Sequence, residues 1–260
     1  MSRETIGRTF TVAGVLSVLC AVVVAGAAVA LKPTQEANKA RDMKKNILAA
    51  AGLLSDGADI NQVFEQNIKA RLLDLSSGEY VEDQDALAYD FRKAVKDKNS
   101  SAEIPASKDI AKIRRQAKLM TVYEVVSDAG LEKVVLPVYG KGLWSTLYGF
   151  VALNADTKTV VGLGFYEHAE TPGLGGEVDN PKWKKQWAGK EVYGENGQLA
   201  LTVLKGKVDP SSAEAKHQID GLSGATITTV GVDALIKFWL GADGYGRYLD
   251  NLRRKGDLNG

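Results

Sequence analysis

The sequence predicts an α+β protein with an N-terminal transmembrane helix, a helical juxtamembrane layer and an antiparallel-sheet domain carrying a C-terminal helix. Three observations predict it. Phe10 to Leu31 holds no charged residue, apolar side chains then recur at helical spacing, and from Met120 the chain changes to β-rich runs with short connections. These features divide the chain into a tail (1–9), a transmembrane helix (10–31), a helical juxtamembrane segment (32–118) and a sheet domain (119–260).

The uncharged run is about 22 residues long, and at roughly 1.5 Å per residue it spans about 33 Å as a helix, enough for a bilayer core. A cleavable signal peptide is the competing reading, because Ala28-Val29-Ala30 mimics a cleavage site. Its apolar core normally covers only about 7–15 residues, so the transmembrane reading is preferred. Beyond the run, Ala40, Met43, Ile47, Ala51 and Leu54 share a helical face, and so do Ile60, Val63, Phe64, Ile68 and Leu72. A third helix is expected where Leu87, Phe91, Ala94 and Val95 align, ahead of a polar loop at Lys98–Ser101.

Strands are expected at Val122–Val126 and Val134–Tyr139, separated by Asp128-Ala129-Gly130, and then at 147–153, 159–165 and 198–204. Asn154-Ala155-Asp156-Thr157 reads as a hairpin turn. The first four connections are too short for crossover helices, which makes the sheet antiparallel. Val232, Leu235, Ile236 and Trp239 restore helical spacing up to Gly241.

Composition narrows the chemistry. Lysine and arginine (33) nearly balance the acids (32), leaving a net charge of +1 and no basic field for a nucleic-acid partner. Cys20 is the single cysteine and the histidines are His168 and His217, so zinc and iron–sulfur ligand sets are missing and any electron carrier must be organic. Neither a dinucleotide-binding glycine fingerprint nor a Ser-His-acid set is recognisable.

The most informative segment is Asp220-Gly221-Leu222-Ser223-Gly224-Ala225-Thr226. Gly224 and Ala225 keep bulk away from the backbone, and a helix beginning near Thr228 would aim unpaired N–H groups at an anion lying beside Thr226. Ser223 either bonds that anion or caps the loop. Thr228 and Thr229 read as helix caps. Thr171-Pro172-Gly173-Leu174-Gly175-Gly176 either forms a plain surface turn or lets a flat ring approach closely, with Leu174 against one face. Trp144 is either a ring-packing residue or a core anchor, while Trp183, Trp187 and Trp239 fit helix faces.

Asp220–Thr226 resembles the flavinylation signature Asp-x-x-Ser/Thr-Gly-Ala-Thr. Together with Glu170–Gly176 and Gly140-Lys141-Gly142-Leu143-Trp144-Ser145, it is similar to loops of the NqrC family, whose members belong to the sodium-translocating NADH:quinone oxidoreductase. The related RnfG-type electron-transport subunits share the signature, and a membrane-anchored FMN-binding regulatory module is a further alternative.

The resemblance implies an FMN-binding sheet domain with FMN joined to Thr226 through a phosphoester. It implies that Asp220, Ser223, Gly224, Ala225, Leu143, Trp144, Glu170, Thr171, Gly173, Leu174 and Gly175 surround the cofactor. On that reading Asp220 either contacts the modifying flavin transferase or makes an Asx turn, and Glu170 or His168 hydrogen-bonds the flavin edge. The implied partners are the other subunits of the oxidoreductase, that transferase and the membrane bilayer, with electrons relayed towards quinone. No acidic residue lies in the apolar span, so a sodium path belongs to other subunits. The resemblance places the main domain on the periplasmic side of the bacterial inner membrane. Basic residues favour the opposite, since Arg3 and Arg8 precede the span and Lys32, Lys39, Arg41, Lys44 and Lys45 follow it, although long domains translocate largely regardless of charge.

Overall fold

The computed structural model describes residues 5–55, 57–128 and 130–258, so Arg3 of the charge count and Ala129 of the strand connection lie outside the described residues. Helix α1 (Ile6–Ala50) runs unbroken for 45 residues with Pro33 inside it. The chain divides into two compact units, Met1–Met43 and Lys44–Gly260. In the first, the large side chains of the uncharged run, from Phe10 to Leu31, are exposed along the helix. Among the described residues, α1 is the helix long and apolar enough to cross a membrane.

In the second unit α1 stops at Gly52, whose φ of +68° suits glycine, while Leu53 N–H donates back to Leu48 O at 2.8 Å. Helix α2 (Ile60–Asn67) starts at Asp59, whose carboxylate accepts from Asn61 N and Gln62 N. The helix expected through Leu72 ends here. Ile68 turns to φ −110°, ψ 124° and opens strand β1 (Ile68–Asp74), followed by β2 (Glu79–Val81). The third expected helix shrinks to one turn, α3 (Phe91–Ala94), capped by Asp90, and leaves Leu87 exposed. A small ribbon, β3 (Ser101–Glu103) with β4 (Arg115–Ala117), precedes the long strands β5 (Leu119–Ser127), β6 (Gly130–Lys141), β7 (Thr146–Asn154) and β8 (Val160–Glu167).

The main sheet has the order β2-β1-β5-β6-β7-β8 and is antiparallel throughout. Tertiary pairing explains the misread segment, because β1 matches β5 residue for residue from Ile68↔Val125 to Asp74↔Leu119. That long ladder outweighs a helical spacing of apolar residues. The segment 32–118 therefore supplies strands to the sheet as well as helices.

After β8 come a short helix, α4 (Pro181–Lys185), and a two-residue strand, β9 (Thr202–Val203), paired in parallel with β10 (Gln218–Ile219). The strand expected over 198–204 thus contracts and leaves the main sheet. Its backbone is used elsewhere, with Val203 N donating to Asp233 Oδ1 at 2.9 Å. Helix α5 (Thr226–Leu240) begins two residues before the expected Thr228, and a further helix, α6 (Gly246–Leu258), was not expected.

Both sheet faces are covered. One packs Val122, Leu136, Val138, Leu147 and Val151 into a core with Leu235, Ile236 and Trp239 of α5. Trp239 Nε1 donates to Tyr139 O at 2.7 Å, pinning α5 to β6. On the other face Phe64 of α2 meets Tyr123 edge to face at 6.3 Å, and a Cβ on Gly162 would lie 2.9 Å from Ala50 O. Trp183 of α4 and Trp187 are both buried, as their packing reading implied, although Trp187 lies in the turn after α4 and not on a helix.

Candidate functional site

Three segments meet at the N-terminus of α5: the turn Gly142–Ser145 between β6 and β7, the loop after β8 from His168 to Gly176, and the Asp220–Thr226 loop. Their junction is a buried carboxylate. Glu170, 5% exposed, accepts from Leu143 N at 3.2 Å, Trp144 N at 3.0 Å, Ser145 N at 3.1 Å and Ser145 Oγ at 3.4 Å. Thr228 Oγ1 also donates to it, at 2.6 Å. Burial raises the Glu170 pKa, but the bonds from Thr228 and from the Ser145, Trp144 and Leu143 amides outweigh it and hold the carboxyl below its ordinary value. Glu170 therefore uses its oxygens on the protein, a different employment from the expected flavin edge. His168 is likewise structural, bonding Asp179 through Nε2 at 2.8 Å and accepting from Glu170 N through Nδ1.

The threonines divide by burial. Ala225 is the N-cap residue of α5 and offers no side-chain acceptor, so the first-turn amides of Thr226, Ile227 and Thr228 receive none from the cap. Thr228 and Thr229, expected to cap, lie inside the first turn and are each 1% exposed. Thr229 Oγ1 donates to Ala225 O and accepts from Leu222 N, which closes the turn. Thr226 is exposed, and its hydroxyl makes no hydrogen bond with the described residues. Ser223 is exposed in the same way and does not cap the loop.

Asp220 supports the loop from behind and forms no Asx turn. Its carboxylate accepts from Val208 N at 2.8 Å and Lys207 Nζ at 3.3 Å, while its backbone bonds Gln186 and Trp183. Gly224 sits at φ +70°, and a Cβ there would come within 3.0 Å of Leu174 Cδ2, which brings the two glycine-rich loops into contact. Thr171 O accepts from Leu174 N and Gly176 N, making the second loop a tight turn with Gly173 at φ +75°. Trp144 is 66% exposed, which excludes the core-anchor reading, and Leu143, Leu174, Ile227 and Val230 are exposed with it. The candidate residues thus converge, except that the Asp220 side chain points to Lys207 and Val208. Sequence reasoning included Gly142 and Ser145 in the resembling loop but missed what they do around Glu170, as it missed the bonding role of Thr228. Those roles were hidden because each acts on Glu170 across a long stretch of chain.

An exposed hydroxyl, free helix-terminal amides and a rim of exposed apolar side chains fit a phosphate carried beside a flat apolar ring. The same loops fall inside residues 142–241, which match the family model described as "FMN-binding domain", so the chain belongs to the class of proteins that carry it. Curated relatives sharpen this. The NqrC protein of the Na(+)-translocating NADH-quinone reductase of Pseudomonas aeruginosa is 52% identical over 97% of this chain and 98% of its own length. That of Yersinia pestis is 44% identical over 100% and 97%. The crystal structure of Shewanella oneidensis NqrC superposes with a TM-score of 0.77 at 36% identity, covering 84% of this chain and 99% of that one. The chain belongs to the NqrC family of Na(+)-translocating NADH-quinone reductase subunits, and the apolar α1 fits a single-pass membrane protein.

Proposed function

We propose that this chain carries FMN as a phosphoester on Thr226 and relays electrons inside a membrane NADH:quinone oxidoreductase that couples electron flow to sodium export. The observation that carries the proposal is the contrast among the three threonine hydroxyls in the first turn of α5. Thr228 and Thr229 are buried and bonded, whereas Thr226 presents a free alcohol on the first residue of α5. Thr226 Oγ attacks the FMN phosphorus of FAD; the new O–P bond replaces the phosphoanhydride bond, AMP departs, and the hydroxyl proton passes to solvent or to the transferase. A separate flavin transferase catalyses the step, since no base touches Thr226 among the described residues.

Once bound, FMN supplies the one-electron chemistry that these side chains lack. The amides at the α5 terminus hold the phosphate, and Gly224 keeps the turn open for it. Leu143, Trp144, Leu174, Ile227 and Val230 shield one side of the ring from water. Helix α1 anchors the domain in the lipid bilayer beside the other subunits. On the family resemblance the domain faces the periplasm, and the opposing basic-residue count carries little weight because long domains translocate largely regardless of flanking charge.

The test is in-gel flavin fluorescence of denatured protein with peptide mass analysis. The wild-type peptide bearing Thr226 is expected to gain one FMN less one water. Thr226→Ala loses both signals, Ser223→Ala keeps them, and expression without the transferase gives folded, colourless protein. Flavin retained covalently in Thr226→Ala overturns the assignment.

A further inference from the structure

Two glycines of the site loops have ordinary negative φ, so backbone freedom does not explain them. Space does. A Cβ on Gly142 would lie 2.6 Å from Glu170 Oε1, and one on Gly175 would lie 2.8 Å from Glu170 Oε2 and 2.6 Å from Thr228 Oγ1. Real Cβ contacts are not that short, so both glycines leave room for a carboxylate and its threonine partner. The sequence leaves the second loop's glycines to a plain turn or to an approaching ring, and the family resemblance favours the ring; at Gly175 the neighbour is Glu170.

We infer that Glu170 is a positioning residue for the flavin acceptor, a buried latch that fixes the first turn of α5 to the Trp144 loop and so presets the surface around Thr226. The inference rests on Thr226 being the acceptor, as proposed above. Its parts are separated in sequence and joined at one carboxylate: Leu143, Trp144 and Ser145 amides from one side, the Thr228 hydroxyl from the other. Ser145 Oγ also accepts from Ala169 N at 2.8 Å, tying the latch to its own loop.

The latch engages α5 through a side-chain hydroxyl and takes none of the first-turn amides. Among the described residues nothing else caps those amides, which leaves them to the phosphate, and the carboxylate stays on the buried side of the helix while Thr226 is exposed. The latch also withdraws Thr228, leaving one reactive alcohol on this turn.

The test uses the full-length chain in detergent micelles with a flavin transferase, FAD and magnesium, followed by hydrogen exchange of the flavin-free protein. Glu170→Ala is expected to lower kcat/KM for FMN incorporation at Thr226 by about tenfold, and Thr228→Val by about threefold, the scale of losing buried acceptor bonds. Exchange in a peptide covering 142–146 is expected to accelerate in both, while peptides of β6 and β7 keep wild-type protection. Glu170→Gln, which retains one accepting oxygen, recovers part of the rate. A structural role confined to overall stability would speed exchange across the sheet and leave kcat/KM of the folded fraction unchanged; that result overturns the latch, as does wild-type loading in Glu170→Ala. Should Glu170→Ala fail to fold, Thr228→Val and Gly175→Ala decide by the same two readouts. Absence of FMN from Thr226 in the wild-type chain refutes the acceptor assignment instead, a distinguishable failure.

Discussion

Asp156, in the turn between β7 and β8, and Glu170, beyond the end of β8, do similar chemistry at different ranges. Asp156 accepts from Lys158 N at 2.8 Å, Thr159 N at 2.9 Å and Thr159 Oγ1 at 2.6 Å, all within three residues and at the surface. Glu170 gathers donors 25 to 58 residues away and is buried. In both, desolvation raises the pKa and the accepted hydrogen bonds outweigh it, leaving a depressed value. The difference is what each carboxylate holds. Asp156 shapes a turn within its own hairpin, whereas Glu170 joins segments that lie far apart in the sequence.

Stability measurements can break this comparison. Glu170→Ala leaves three amides and a buried hydroxyl without their acceptor and is expected to cost about 3 kcal/mol in urea unfolding. Thr228→Val removes one charge-assisted bond and is expected to cost about 1.5 kcal/mol. Asp156→Ala, whose donors turn to water, is expected to cost about 0.5–1 kcal/mol. A cost for Asp156→Ala equal to that of Glu170→Ala would show that range and burial do not matter here.

Acid sharpens the same contrast. Because the folded Glu170 pKa lies below its ordinary value of 4.5, its contribution is fully present above that value and is lost as pH falls through the depressed one. The stability gap between wild type and Glu170→Gln should be constant near neutrality and narrow below about pH 4.5. A gap that stays constant down to the acid transition would mean that charge is irrelevant to the latch.

The local half of this structure was legible in the sequence. The Asn154–Thr157 turn, four long strands and the small-residue run ending at Thr226 each follow from neighbouring residues, and the Asn154 O to Thr157 N bond of 2.8 Å closes where turn chemistry put it. The distant half was not. Ile68 and Leu72 keep helical spacing with Phe64, yet β5 captures them as strand, and no local property of β1 announces its partner. Helix α6 was missed because Tyr248, Leu249 and Leu252 stand among charges and give a thin apolar stripe. At the site, the small-residue loop that opens α5 at Thr226 could be read from its motif, but the crowding of Gly142 and Gly175 against a carboxylate arises only through the tertiary fold.

The surroundings of Thr226 come from three stretches that meet only when the sheet has closed. A nascent or misfolded polypeptide would show the transferase an alcohol without its setting. On the proposed reading, pigmentation then works as an inspection stamp, and the yellow fraction of a preparation counts the molecules that completed biogenesis.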